Sequence, residues 1–302
     1  MYNGIIVIRK EKGFTSHDVV AKLRGILHQK KIGHTGTLDP DAEGVLPVCL
    51  GKATKLSQLM TDHDKVYEAV MQLGVRTDTQ DMSGNILSRQ DPERDPGKIT
   101  AAIASFQGEI MQIPPMYSAV KINGKKLYEL ARKGVEIDRP PRPVTIFSIE
   151  ITCMDCPFVS MRVHCSSGTY IRTLCNDIGE KLGCGAALKE LNRTRVGIFG
   201  LEQAFSLPEV EETARSHPQQ LEDMIIPPER ILGDRPKVFC LDEDADRFLY
   251  NGNYLDRKRT RSDREWVPGD KEQVRMYDSR GVFRALYRYD RGRDRYSAYI
   301  MM

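Results

Sequence analysis

Residues 33–55, GHTGTLDPDAEGVLPVCLGKATK, limit what this chain can fold into more than any other segment. The first half suits backbone irregularity rather than packing. Gly33, Gly36 and Gly44 open backbone angles closed to other residues, and Pro40 holds Asp39 extended, which fixes where its carboxylate points. The second half, residues 45–50, is an apolar strand. A stiff loop that presents one fixed carboxylate is a place where chemistry is held. The same residues have a plainer use, because Asp-Pro starts turns and an Asp ahead of a turn caps backbone N–H groups. The loop by itself leaves both readings open.

Around this loop the pattern alternates between strand and helix. Residues 5–8 read as a buried strand. Thr15 and Ser16 offer an N-cap with Asp18 in the first turn, and Val19, Val20, Leu23, Ile26 and Leu27 carry a helix to about Gln29. A short helix is expected at 52–60, a strand at 66–73 with Tyr67, Ala69, Met71 and Leu73 on one face, a turn at Gly84 and a helix at 99–106. Residues 114–143 read as an excursion from the sheet: a strand at 118–122, a turn at Asn123-Gly124, a helix at 125–132 and a basic, proline-rich end. Residues 144–153 and 158–165 form a hairpin. A helix follows Gly168 with Ile171, Leu174, Ile178 and Leu182 on one face, and 188–199 is strand-like, carrying Arg193 and Arg195. This is not a regular βαβ order, so the fold class is α+β with a mixed sheet. Residues 208–228 are polar and helical. Gly233-Asp234-Arg235-Pro236 marks a boundary, which divides the chain into 1–235 and a small β-rich domain, 236–302, with strands at 237–241, 273–277 and 282–289.

At 302 residues the chain exceeds the usual single domain. It contains no apolar run of the about 18 residues that a membrane span needs. The apolar run at 4–8 is too short for a signal-peptide core, so the cytoplasm is the expected location. The seven cysteines are scattered. Cys153 and Cys156 form a lone CxxC without the second pair that a zinc site requires, and they read as buried, reduced thiols. The net charge of +3 resides in the tail: from Pro236 onward there are 15 Lys+Arg against 12 Asp+Glu. RKRTRSDR at 257–264 and the arginines at 280, 284, 288, 291, 293 and 295 suit a phosphate-binding surface. They equally suit a solvated face.

Four blocks narrow the choice. GHTGTLDP with GVLPVCLGKATK resembles, without a gap, the catalytic loop of the TruB family of tRNA pseudouridine synthases. RTDTQDMSG (76–84) resembles that family's second motif and SSGTYIRTLCNDIGEKLGCGAALKELNRTRVG (166–197) its third, with TSHDVV near the start. The resemblance covers most of residues 3–200. The chain departs from the family pattern at Asp41 and Glu43, where neutral residues are frequent, and at Glu11, where proline is usual. The tail resembles a PUA-type RNA-binding domain through its position, its length and RFLYNGNYL.

The resemblance implies a pseudouridine synthase fold, a reaction that needs no cofactor and a tRNA partner met at the T-arm loop; the cysteine spacing speaks against a metal, the hydropathy against a membrane, and with nothing to suggest an obligate partner a monomer is expected. The resemblance also implies that Asp39 is the catalytic residue, that Arg172 pairs with it and keeps it ionised, and that Asp81 holds Arg172 from its other side. Tyr67, Tyr170 and Leu191 would line the base pocket. His34 would stack within the RNA loop once the base has left it, and Lys55 would bind substrate. Lys30, Lys31, Lys52, Arg193 and the 114–143 excursion are further candidates for phosphate contacts. Two rivals share these blocks: a non-catalytic RNA-binding or tRNA-folding protein, and a guide-RNA-dependent relative.

Overall fold

The computed structural model describes residues 1–122 and 124–302. Strand β1 (Gly4–Lys10) leads into helix α1 (Ser16–Ile26). The start of α1 is fixed by a capping box: Thr15 Oγ1 accepts from Asp18 N–H, and the Asp18 carboxylate accepts from Thr15 N–H. The larger unit is completed by β2 (Glu43–Leu50), β3 (Lys65–Leu73), α2 (Pro96–Ala104), β4 (Gly108–Gln112), β5 (Arg142–Asp155), β6 (Phe158–Cys165), α3 (Ile171–Leu182) and β7 (Ala186–Val196). Among the described residues the main sheet has nine strands, in the order β1-β2-β7-β3-β6-β5-β4, with Ile32–His34 added on β2 and Phe199–Gly200 on β7. All pairings are antiparallel except β2 with β7, where Arg193 lies opposite Gly44. The sheet is therefore mixed. That parallel joint is close: Gly44 has φ 106°, and a Cβ there would lie 2.2 Å from the Arg193 carbonyl oxygen, so only glycine fits.

Helices α2 and α3 cover the half of the sheet built from β3, β5 and β6, packing Ile99, Ile103, Leu174 and Ile178 against Met71, Met161 and Val163. On the β1–β2 half, alternate residues serve opposite faces. Ile6, Ile8, Leu46 and Val48 meet α1 and the helix Leu207–Ser216, while Ile5, Val7, Val45 and Cys49 point the other way.

The smaller unit comprises β8 (Lys237–Cys240), α4 (Glu243–Tyr250), β9 (Leu255–Asp256), β10 (Thr260–Ser262), β11 (Gln273–Tyr277), β12 (Phe283–Asp290) and β13 (Arg295–Met301), with sheet order β9-β13-β12-β11-β8-β10. It is β-rich, as expected of a PUA-like domain. Its own core centres on Val238, Leu249, Val274, Met276 and Tyr287. It also shares a core with the larger unit: Leu286, Phe283, Ile300 and Met302 pack against Ile5, Val7, Val45 and Leu56.

Several expectations need correction. Of residues 118–122 only Lys121–Ile122 is paired, to Lys125–Lys126, and the helix that follows is Leu127–Ala131. The turn expected at Asn123-Gly124 falls, at Asn123, outside the described residues. Cys153 is exposed and Cys156 half-buried, whereas the other five cysteines are buried, and all seven are unpaired. The reason for the exposed Cys153 is that β4 pairs with β5 only from Arg142 to Ile146. Beyond that point β5 keeps one neighbour, β6; Ile149, Ile151 and Met154 still pack on the core, and Cys153, next to Met154, is left exposed. Among the described residues no helix is long and apolar enough to cross a membrane.

Candidate active site

The loop between Ile32–His34 and β2 has no regular structure at 35–42, yet its carbonyls are engaged from Gly36 to Pro40. Five consecutive carbonyls each accept a hydrogen bond. Gly36 and Thr37 accept from the Arg193 guanidinium, both at 3.3 Å. Leu38 accepts from Ser16 Oγ at 3.3 Å, and Asp39 from Ala42 N–H at 3.1 Å. Pro40 accepts from Gly13 N–H at 2.9 Å and from Lys10 Nζ at 3.1 Å. An irregular segment that satisfies its own backbone this way is held in one shape.

That shape points Asp39 at Arg172. Arg172 Nε lies 2.9 Å from Asp39 Oδ2 and 3.7 Å from Asp81 Oδ2. The remaining guanidinium donors reach the Thr79 carbonyl at 3.1 Å and the Tyr117 carbonyl at 2.7 Å. Arg172 is only 5% exposed at its side chain, so its geometry is fixed. Asp81 is fixed in turn, because its Oδ1 accepts from Thr79 Oγ1 at 2.7 Å and Ser83 Oγ at 2.6 Å. The residue before it, Gln80, has φ 65°, a left-handed conformation unusual for a residue other than glycine. The Gln80 side chain accepts from Thr173 Oγ1, next to Arg172 on α3, at 2.8 Å. Asp39, Arg172 and Asp81, grouped above only through the resemblance, thus stand together in space.

The electrostatics differ from the expectation in one respect. Burial raises the Asp39 carboxyl above its ordinary range, Arg172 pulls it back, and Asp81 pushes it up. The guanidinium favours the ionised form, but desolvation outweighs it. The Asp39 side chain nevertheless keeps 42% of its surface open. The two facts agree because it forms part of an open cavity: one edge meets solvent and the rest is enclosed.

That cavity, about 400 Å³, is lined by Asp39, Tyr67, Tyr170, Arg172 and Leu191, together with Tyr117, Ser118 and Ala119 from the excursion. Burial raises both the Tyr67 and Tyr170 phenols, so both stay neutral walls. His34 lies outside this lining, edge-on to His17 with ring centroids 5.2 Å apart. Burial, then the His17 and Arg193 charges, push it down to about 4, so it is neutral near pH 7. Lys55 is not in the cavity either: its Nζ donates to the Met301 carbonyl at 2.8 Å, and Lys52 does the same to Met302 at 3.1 Å. Arg193 is 1% exposed and cannot reach an RNA backbone, which removes it from the phosphate candidates. Lys30 and Lys31 are exposed.

Two contributors were missed. Gln112 is 2% exposed and grips the start of α3, donating to the Tyr170 carbonyl at 3.1 Å and accepting from Tyr170 N–H at 2.8 Å. No local pattern marked it. Lys65 also lines the cavity. Its signal was legible, since it stands in phase with Tyr67, Ala69, Met71 and Leu73 on the buried face of β3.

Comparison with known proteins follows the same lines. Residues 24–171 match the profile of the TruB family pseudouridylate synthase N-terminal domain, and residues 172–233 that of the tRNA pseudouridylate synthase B C-terminal domain. The tRNA pseudouridine synthase B of Lachnoclostridium phytofermentans is 51% identical over 303 residues, 97% of each chain. That of Clostridium acetobutylicum is 44% identical over 284 residues, 94% of each chain. The fold is similar to that in the crystal structure of a Cbf5-Nop10-Gar1 complex (TM-score 0.72, 30% identity, 95% of this chain and 78% of that one). It is also similar to that in an H/ACA RNP bound to a substrate RNA containing 2'-deoxyuridine (TM-score 0.71, 27% identity, 99% and 84%).

Proposed function

The chain belongs to the TruB family of pseudouridylate synthases, and on that premise we propose that it acts as a monomer on the uridine at position 55 in the T-arm loop of tRNA, with Asp39 as the reacting carboxylate. The coarser activity, isomerisation of uridine to pseudouridine in tRNA, follows from relatives of that name at 44–51% identity over most of both chains. The observation that carries the site assignment is the Asp39–Arg172 pair in a cavity walled by Tyr67, Tyr170 and Leu191.

The chemistry suits those walls. The N1–C1′ bond of uridine breaks and C5 joins the same sugar carbon, so the site needs a carboxylate, a surface for the freed uracil and shelter from water. The base must first leave its stack, which costs a few kcal/mol. Stacking on an aromatic ring returns about 1–3 kcal/mol per base, a role for Tyr67, while a neutral His34 is suited to fill the vacated place in the RNA. We assign residues 1–235 to catalysis, with 114–143 folding over the cavity, and 236–302 to further RNA contacts.

A non-catalytic RNA-binding role leaves the buried Arg172 and its two carboxylates without a purpose. The likeness to H/ACA proteins favours, as a second reading, dependence on a guide RNA. The purified protein alone, given an unmodified tRNA transcript, separates these. Pseudouridine at position 55, absent when that uridine is replaced by cytidine, is the expected result. Product only with added guide RNA supports the second reading, and none under any condition rejects both.

A further inference from the structure

Two lysines are buried beside the cavity loop, and their hydrogen bonds differ by one. Lys10 is 1% exposed, and its three N–H groups have three carbonyl partners: Glu11 at 3.0 Å, Phe14 at 2.6 Å and Pro40 at 3.1 Å. Lys65 is 7% exposed and has two, Thr61 at 2.7 Å and His63 at 2.5 Å. An ammonium carries three donors, so one N–H of Lys65 has no partner among the described residues. The residue lines the same cavity as Asp39, Tyr67 and Arg172. Of the charged groups along that lining, Asp39 and Arg172 pair with each other, which leaves Lys65 and Arg193 as positive charge facing a space with no further carboxylate. Arg193 spends its donors on carbonyls. Lys65 does not.

We infer that the third N–H of Lys65 holds a negatively charged oxygen of the flipped-out target nucleotide, which makes Lys65 a substrate-contacting residue. This rests on the reading of the cavity as the uridine site. Two oxygens of the nucleotide have this chemistry. One is a phosphate oxygen. The other is a uracil carbonyl: when the C1′–N1 bond breaks, its electron pair goes to N1 and spreads onto the ring oxygens. That charge is discharged when C5 bonds C1′, C5 gives up its proton and N1 takes one. A donor aimed at developing charge in an enclosed site acts at the bond-breaking step.

The charged groups around Lys65 are His63, Asp62 and Asp64 on its own segment, Arg193 from β7 and Cys165 from β6. Burial, then the Arg193 charge, push the Lys65 ammonium down to about 8. A neutral amine keeps two N–H groups, enough for both carbonyls. Deprotonation therefore spares the scaffold contacts and deletes only the third donor.

Single-turnover rates and tRNA dissociation constants between about pH 6 and pH 9.5, for the full chain and for Lys65→Met and Lys65→Arg, test this. Thermal melts report folding. Wild type should lose rate or affinity as pH rises through about 8, Lys65→Arg should lack that limb, and Lys65→Met should fall roughly 10- to 100-fold at pH 7, as for a lost charged hydrogen bond. A loss in affinity assigns the phosphate, and a loss in rate at unchanged affinity assigns the uracil oxygen. A folded Lys65→Met with parental rate and affinity overturns the inference. If that variant does not fold, a wild-type profile flat from about pH 7 to 9 overturns it instead. Wild type that makes no pseudouridine would reject the uridine-site reading, whereas normal conversion with indifferent Lys65 variants rejects only this contact.

Discussion

Two buried arginines flank the same cavity, and both precede a threonine, in Ile171-Arg172-Thr173 and Asn192-Arg193-Thr194. Arg172 faces two carboxylates, Asp39 and Asp81. Arg193 faces none: it donates to the carbonyls of Val45, Thr37 and Gly36 and meets the Tyr67 hydroxyl. On one flank a guanidinium tunes a charge, and on the other it splints a loop and an aromatic wall. A buried cation beside a reacting group is therefore not by itself part of the chemistry. What its donors touch decides.

The sharpest test of the contrast is Asp39→Asn, which keeps the shape and removes the charge. Single-turnover pseudouridine formation should drop at least on the order of 10³-fold with tRNA affinity nearly unchanged, and a near-parental rate would remove Asp39 from the mechanism. Arg172→Met should cost on the order of 10²-fold or more in rate, leave tRNA binding intact, and move the acid limb of the rate profile to higher pH. The sign follows from the charges: in the proposed mechanism the ionised carboxylate is the active form, burial already raises its pKa, and losing the guanidinium removes what opposes that rise. Arg172→Lys should recover only part, since a point charge lacks the fork. On the other flank, Arg193→Met strands three carbonyls and should lower unfolding stability by about 3 kcal/mol or more, read from denaturant melts. Its acid limb should stay where it was, and a shifted limb at parental stability would erase the distinction. The smallest effect belongs to Asp81→Asn: roughly tenfold in rate, with the limb moving to lower pH because a repelling charge is gone. Limbs displaced in the same direction in Arg172→Met and Asp81→Asn would refute this account of the triad.

The grouping of side chains around Asp39 was more legible in the sequence than the scaffold that holds it. Asp39, Asp81 and Arg172 stand in the blocks that carry the family resemblance, and the resemblance, not the residue types alone, grouped them. The period-two pattern of β3 and the Thr15–Asp18 cap sufficed for the elements around them. Arg193 was misread because a basic residue on a strand is expected at the surface, and nothing local announces a pocket of carbonyls. The contacts of Lys52 and Lys55 could not be foreseen for a related reason: their partners, Met302 and Met301, lie at the far end of the chain. Ile32–His34 and the hairpin Val75–Thr77 with Ile86–Arg89 are too short for alternation to show. Helix α4 escaped notice although its signs were present: Asp242 caps it, accepting from Ala245 N–H, and Glu243, Asp244 and Asp246 fill its first turn.

The core shared by the two units turns the molecule into a gauge. Leu286 and Phe283 share one hydrophobic cluster with Val45, on the strand that leaves the Asp39 loop, so the span from the C-terminal surface to the cavity is set by packed side chains and not by a hinge. If both ends touch RNA, an RNA with the right loop but the wrong overall shape meets only one jaw of a fixed calliper. Length then becomes part of what is recognised, at positions where no side chain reads a base.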